Sequence, residues 1–474
     1  MAKIKKIIVL FDGKSSVEDK DNTLQKNVVR KHLKEMGYRV KTLTFDKSNF
    51  NRIKKMGYDL VFNLVESVNG SGDDIYKAPK FLEESGIRFT GANSIAMKTT
   101  TNKLKTKKIL SQNGIKTPET EFITDETYIF KPINEDASIG IEEDCVYRIS
   151  TQEQLQFIID DKEKKTGKKY FAERYIDGRE FNISIINNFG KPLVLPPAEL
   201  VFTNYEEDEF KIASYSAKWS EDSNQYKNSN RCFEFSVKDM LLLKSLESIC
   251  LKCWNIFNLT GYARVDFRVD KFNNPWVLEI NANPCISPDS GFIAAAQKMG
   301  FTYKDILERI ISDITFREVI YKSDLNDVVK ITEKSGFFTK EEVDITRELI
   351  TLRFKDGAEK SGYNFIIIES VGKVLGFSCF GKIPCTKSSF DLYWIVIDKK
   401  YKNLGLGKRI LELTENRVKD LGGESIYIET SSTELYKPTR LFYENNGYSL
   451  ATVLADFYDK NDDKNLYVKK FNLL

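Results

Sequence analysis

Two short apolar strands joined by a polar turn, Gly261–Phe267 and Trp276–Asn281, constrain this chain more than any other stretch. Side chains alternate faces along a strand, so Arg264 shares a face with Asp266, and Glu279 with Asn281. The intervening Asp270–Pro275 is rich in Asp, Asn and Pro, the chemistry of a turn, and predicts a hairpin. Folding it sets two carboxylates, an amide oxygen and a guanidinium on one patch. Hard oxygen donors of this kind suit Mg²⁺, which takes one or two carboxylates together with phosphate oxygens. A guanidinium beside them stabilises charge on a transferring phosphoryl group. An ordinary solvent face with surface ion pairs is the competing reading. The apolar remainder of both strands, leading into Asn283–Pro284, favours a Mg–nucleotide site.

At 474 residues the chain exceeds one compact core and predicts two or three domains. Its 72 Lys and Arg nearly balance 69 Asp and Glu, so no global field points to nucleic acid or membrane. Seven scattered cysteines, an odd count, argue for a reducing compartment rather than a disulfide framework. Cys250 and Cys253 fall in a helical pattern, Leu241 to Phe257, with no second pair, and read as structural rather than zinc-binding. The apolar run Ile7–Phe11 follows Lys3, Lys5 and Lys6 but stops at Asp12, too short for a signal-peptide core. No run approaches a membrane span, and a cytoplasmic location is expected. The single histidine, His32, lies in an amphipathic helix, Leu24 to Met36. With it go Ser-His-Asp hydrolysis and His-rich zinc sites, leaving carboxylates, Lys, Arg, Tyr and Mg²⁺ for any chemistry.

The first ninety residues alternate strand and helix. Ile7–Phe11, Val40–Phe45, Leu60–Val65 and Ile87–Thr90 predict a doubly wound parallel sheet. Ligands bind such sheets beyond the carboxyl ends of the strands, where Asp12–Ser15 and Glu66–Gly72 follow. A helix from Ile95 to Gly114 carries Lys103. Tyr128–Pro132 is a strand containing Lys131, and the polar loop Asn134–Gly140, with Ser138, has the size to fold over phosphates. Tyr170–Ile176 turns at Asp177–Gly178 and restarts as Arg179–Ile186. Carboxylates at either end, Glu173 and Glu180, could accept from a base amino group and ribose hydroxyls, or be surface acids. Arg317 begins a new α/β pattern without a flexible linker. There the strand Asp391–Ile397 precedes Lys402–Lys408 and an amphipathic helix, Arg409 to Leu421. A strand, a glycine turn and a helix start form an anion site.

In chain order, Phe89–Gly91, Asn102–Lys103, Gly114–Pro118, Phe130–Pro132, Ser138–Gly140, Glu173–Ile176, Gly178–Phe181, Ala217–Lys218, Ala263–Asp266 and Leu278–Asn281 carry a resemblance. Residues 1 to 316 resemble the ATP-grasp superfamily in its D-alanine–D-alanine ligase-like branch. The resemblance implies a Rossmann-like substrate domain over 1–92 and an ATP-grasp domain of two α+β nucleotide-clamping lobes over 93–316. It implies that Lys103 and Lys131 hold phosphates, and that Ser138 and Gly140 belong to the loop over them. Glu173, Arg174, Tyr175 and Ile176 would read adenine, with Leu278 at the nucleotide and Glu180 at the ribose. Asp266, Glu279 and Asn281 would carry Mg²⁺, with Lys218 and Arg264 at the γ-phosphate and the acyl phosphate. Glu66 would meet the first substrate's amino group and Ser290 the second carboxylate. Ala137 and Trp219 replace a Ser and a Tyr of the family, and Cys285 replaces an oxyanion-hole glycine while keeping its N–H. D-alanine is therefore not the expected substrate.

Residues 317–474 resemble a GNAT acetyltransferase, an α/β domain. The strand ending in Ile395, Val396 and Ile397 and the turn Lys402, Asn403, Leu404, Gly405, Leu406, Gly407 and Lys408 match the acetyl-CoA pyrophosphate signature. In Leu441–Tyr448, Tyr443 matches a tyrosine that protonates the CoA thiolate, a feasible acid at a phenol pKa of about 10. Glu369, Asp391 and Glu429 remain open as the general base. Together these imply a bifunctional enzyme: an ATP- and Mg²⁺-dependent carboxylate–amine ligase with acetyl-CoA-dependent N-acetylation. Its partners would be a small-molecule carboxylate and amine, and a homodimer is allowed. The alternative is a nucleotide- and acetyl-CoA-binding regulatory protein whose ligase half no longer turns over. Amine-dependent ADP release separates the two.

Overall fold

The computed structural model describes all residues except 1–4, 13–18, 69, 136–137, 189–190, 206–208, 217–219, 221, 313, 371–372, 403–404 and 472–474. The chain divides into two compact units, one running to Asp313 and one from Ile314. Among the described residues, no helix is long and apolar enough to cross a membrane.

In the first unit, Lys6–Phe11 is the middle strand of a three-stranded parallel sheet, between Arg39–Thr44 and Leu60–Leu64. Ile7, Ile8, Val9 and Leu10 are buried on both faces, as a parallel sheet covered by helices requires. The expected fourth strand, Ile87–Thr90, is reduced to one parallel bridge between Phe89 and Val61. Gly86 and Gly91 both take positive φ and bend the chain away at either end. The helix expected from Ile95 to Gly114 is two helices, Ser94–Thr101 and Lys103–Gln112. Asn102 breaks them with extended backbone, and its side chain accepts from Lys105 N–H to cap the second. Lys103 thereby becomes the first residue of a helix.

Two antiparallel sheets follow. The smaller orders Val146–Ile149, Glu126–Pro132 and Tyr170–Arg174, and Tyr128, Phe130 and Leu155 fill its core beneath the helix Gln152–Thr166. The larger orders Ser229–Cys232, Ala198–Phe202, Arg179–Asn188, Tyr262–Val269 and Pro275–Asn281. It packs on the helix Met240–Ile256, whose Cys250 and Cys253 are buried in that core. His32 contacts Glu35 at 3.2 Å and stacks near Tyr303.

The second unit is one seven-stranded sheet. Its order is Ile314–Arg317, Tyr363–Ser370, Lys373–Lys382, Ser389–Ile397, Ser425–Ser431, Asp462–Lys470 and Ser449–Asp459. Ile314–Arg317 pairs with Ile367–Ser370, so this sheet starts ahead of Arg317, where the sequence suggested the new pattern began. Every neighbouring pair is antiparallel except Ser389–Ile397 with Ser425–Ser431, which run parallel and pair only over Ser389–Asp391. Beyond Asp391 these two strands separate, opening the sheet at its centre.

Candidate active sites

The predicted hairpin forms. Tyr262–Val269 and Pro275–Asn281 pair with Arg264 opposite Asn281 and Asp266 opposite Glu279, and a bulge follows Asp266. Directly opposed residues on one face are the closest side-chain neighbours in such a pair. Asp270 builds the turn, its carboxylate accepting from Phe272 N–H, Asn274 N–H and Trp276 Nε1–H.

Between the two antiparallel sheets lies a cleft of about 580 Å³, open solvent at its mouth included. It brings together Lys131, Ser138, Glu173 to Ile176, Glu180, Asp266, Leu278 and Glu279, residues the sequence reading collected from separate segments. Arg264 forks onto Asp266 through Nε–H and Nη2–H at 2.7 and 2.8 Å. Lys103 lies 3.2 Å from Glu279 and donates to the Glu135 carbonyl. Deeper in, Glu173 sits between Lys131, at 2.7 Å, and Lys107. Burial opposes its charge, but the two lysines prevail and hold the carboxyl below its ordinary range. Burial pushes the Lys107 pKa down, against Glu173. Lys107, which also donates to Thr117 Oγ1 at 2.8 Å, has no local sequence signal beyond its helical spacing from Lys103.

Two glycines fix the cleft walls. Gly178 has φ of +143°, and a Cβ there would lie 2.0 Å from the Val269 carbonyl oxygen; this contact seats Glu180 beside Arg268, 3.3 Å away. Gly140, at φ +77°, would drive a Cβ to 2.6 Å from the Tyr170 hydroxyl. The neighbouring Ser138 hydroxyl donates to the Ala213 carbonyl at 2.5 Å. Lys218, Ala217, Trp219 and Ala137 lie outside the described residues.

Among the described residues no cluster of three His, Cys, Asp or Glu could hold a metal. The opposed Asp266 and Glu279, with the Asn281 amide oxygen one rung along, nonetheless fit Mg²⁺, whose remaining positions phosphate oxygens and water commonly fill. The Asn281 oxygen also accepts from Asn283 N–H at 2.9 Å.

The substrate-binding residues expected from sequence gather at a second corner of the first unit. Asp12, ending the central parallel strand, accepts from Glu66 N–H and Ser67 N–H, each at 2.8 Å. Gln25 donates to Glu66 Oε1 at 2.8 Å and accepts from Ile286 N–H at 2.5 Å, tying Glu66 to the Cys285 turn. Asn283 donates to the Val65 carbonyl at 2.9 Å and accepts from the buried Tyr262 hydroxyl at 2.8 Å. Gln25 was not singled out from sequence, and Asn283 only as the residue the hairpin leads into, because their partners Ile286 and Val65 lie far along the chain. Ser290 caps the helix Gly291–Lys298, its Oγ accepting from Ile293 N–H at 3.3 Å.

In the second unit, Ile395, Val396 and Ile397 end the strand at the opened sheet, and Gly405, at φ +78°, starts the helix Leu406–Asp420. A Cβ on Gly407 would meet Phe442 at an ordinary 3.7 Å. Leu406 is buried and Lys402 lies over the Phe337 ring; Lys408 sits in the helix's first turn, and Asn403 and Leu404 lie outside the described residues. Tyr443 is buried among Phe442, Tyr448 and Tyr467, and burial pushes its phenol well above the ordinary value, so it keeps its proton at neutral pH. The three candidate bases separate. Glu369 is taken by Arg317, 2.7 Å from Nε, which also forks onto the fully buried Asp324. Glu429 is exposed and pairs with Lys464 at 2.5 Å. Asp391, on the last paired rung before the sheet opens, is pushed up to about 6 by burial and by Glu429, against Lys464.

Residues 106–312 match the family described as D-ala D-ala ligase C-terminus, and residues 361–450 match the acetyltransferase (GNAT) domain. The D-alanine–D-alanine ligase of Aquifex aeolicus is 26% identical over 318 residues, covering 65% of this chain and 100% of that protein. The ATP-complexed D-alanine–D-alanine ligase of Bacillus anthracis is similar in fold, at 21% identity and a TM-score of 0.50, over 65% of this chain and 96% of that one. A GNAT-family protein of Desulfovibrio desulfuricans is 36% identical over 33% of this chain and 98% of its own, with a TM-score of 0.33.

Proposed function

From a chain that carries a D-Ala–D-Ala ligase C-terminal domain at residues 106–312 and a GNAT acetyltransferase domain at 361–450, we propose a bifunctional enzyme that joins a carboxylate to an amine and acetylates an amine. The observation that carries the ligase reading is the rung pairing Asp266 with Glu279, flanked by Arg264 and Lys103. Phosphoryl transfer asks for positioning and charge neutralisation more than covalent help. Lys131 and Lys103 would hold the phosphates of ATP, and Glu180 its ribose. Mg²⁺ held by Asp266, Glu279 and Asn281 would neutralise phosphate charge. A substrate carboxylate oxygen would take the γ-phosphoryl group with departure of ADP, Arg264 and Lys218 stabilising the developing charge. An amine would then attack the acyl carbon, forming the C–N bond as phosphate leaves, with Cys285 N–H beside the oxyanion. Cys285, Ala137 and Trp219 make D-alanine a poor substrate in this reading.

In the GNAT domain, Asp391 would accept the proton of the attacking amine and Tyr443 would return one to the thiolate of CoA. The Gly405–Gly407 turn would hold the pyrophosphate of acetyl-CoA. The test of the ligase half is Glu279→Gln, scored by amine-dependent ADP release across amino-acid pairs. The variant is expected to lose that release at least about 100-fold while still binding acetyl-CoA. Wild-type release in the variant would remove Glu279 from the site.

A further inference from the structure

The larger antiparallel sheet of the first unit carries four arginines, and three are neutralised within it. Arg179 forks onto Glu199 and reaches Asp239, Arg264 forks onto Asp266, and Arg268 pairs with Glu180. The fourth, Arg231 on the edge strand Ser229–Cys232, makes no ion pair among the described residues. Its Nη1–H donates to the neutral Asp289 backbone carbonyl at 2.8 Å. It lies flat against Gly291, where an added Cβ would come within 3.3 Å of its Nε. These contacts, to the residues on either side of Ser290, set the guanidinium beside the position the proposed ligase reaction gives to the amine substrate. Solvent reaches the side chain. Crowding around it, and then the charge of Arg264, lower its pKa, while Asp289 and Cys285 act in the opposite sense. Two guanidiniums thus bear on one corner: Arg264 is forked onto Asp266, whereas among the described residues Arg231 feels Asp289 only from beyond ion-pair distance.

We propose that Arg231 selects an amine substrate carrying an anionic group beyond the carboxylate met at Ser290: an amino acid with an acidic side chain, or a peptide ending in one. The assignment rests on the ligase reading above. A charge-assisted hydrogen bond to such a group is worth about 1.5–3 kcal/mol, or about ten-fold or more in discrimination. A neutral isostere forgoes that bond and leaves the guanidinium with Asp289 alone, beyond ion-pair distance, among the described residues.

The experiment measures ADP release by the full chain with Mg-ATP and a panel of carboxylate donors. The amines are offered as acid–amide isosteres, aspartate against asparagine and glutamate against glutamine, free and at the end of dipeptides. Wild-type protein is expected to favour the acidic member by at least about ten-fold in kcat/KM, chiefly through KM. Arg231→Met should bring the two within about two-fold, and Arg231→Lys should restore part of the preference. Binding of a fluorescent ATP analogue reports whether each variant is folded at the nucleotide cleft. Release that shows no acid preference in the wild type, or a preference that survives in Arg231→Met, overturns the inference and leaves the ligase reading standing. Absence of amine-dependent release with every pair overturns both.

Discussion

Asp391 is the residue at which burial and chemistry coincide. Its pKa of about 6 comes from burial and Glu429, which places it within reach of neutral pH as an acceptor of an amine proton. Acetyl transfer is therefore expected to rise through about pH 6 and level off, and Asp391→Asn should remove that limb and lower the plateau about 100-fold or more. A pH–rate profile at saturating acetyl-CoA checks this; an unchanged limb in the variant would assign the ionisation elsewhere. The same shift bears on stability. The folded pKa lies above the unfolded value of about 3.9, so the native state holds the proton more tightly between about pH 4 and 6. The stabilisation is complete below pH 4 and lost as pH rises through about 6. Asp391→Asn should gain on the wild type at pH 8 relative to pH 3.5 by about 1 kcal/mol, a value reduced for the half-exposed side chain, measurable by denaturant unfolding.

At the scale of elements, the glycine turn separates two requirements. Gly405 takes φ of +78° with open space around it, so Gly405→Ala strains the backbone by about 1 kcal/mol and should lower the melting temperature. A Cβ at Gly407 makes only ordinary contact with Phe442 and Ile397, so Gly407→Ala should leave the melting temperature nearly unchanged while weakening acetyl-CoA binding at least about ten-fold by calorimetry. The reverse pattern would dismiss the turn as the pyrophosphate site.

Which elements could be read from the sequence follows from how local their causes are. The Asp266–Glu279 hairpin announces itself through alternation and the Asp270 turn, and the Lys6–Phe11 strand through a continuous apolar run. The break at Asn102 is equally local, but an Asn inside a helical pattern reads as a mild penalty until its side chain is seen capping Lys105 N–H. Ile314–Arg317 becomes a strand through Tyr363–Ser370, and Lys107 gains its role through Glu173. Gln25 likewise depends on Ile286, 261 residues away. Partners at such separations leave no periodic trace.

For the whole molecule, the start of the second unit at Ile314 predicts where the chain can be divided. Removing Ile314–Arg317 deletes an edge strand and leaves Asp324 buried without its guanidinium, a loss of about 3–5 kcal/mol. A fragment 314–474 should melt roughly 10 °C above a fragment 318–474, as read by circular dichroism. Equal melting temperatures would show that the strand adds nothing to the fold.

The tie through Gln25 also governs the order in which the first unit can be completed. The Glu66–Cys285 corner joins Gln25 to Ile286 and Val65 to Asn283, pairs separated by 261 and 218 residues. The hairpin that carries Asp266 and Glu279 closes over far shorter spans, such as the two residues from Arg264 to Asp266. Closing a long loop is entropically unfavourable and contacts of high sequence separation form slowly. A released fragment ending at Asn281 would therefore keep both strands of the Asp266–Glu279 hairpin while lacking Ile286, the residue on which Gln25 closes the corner.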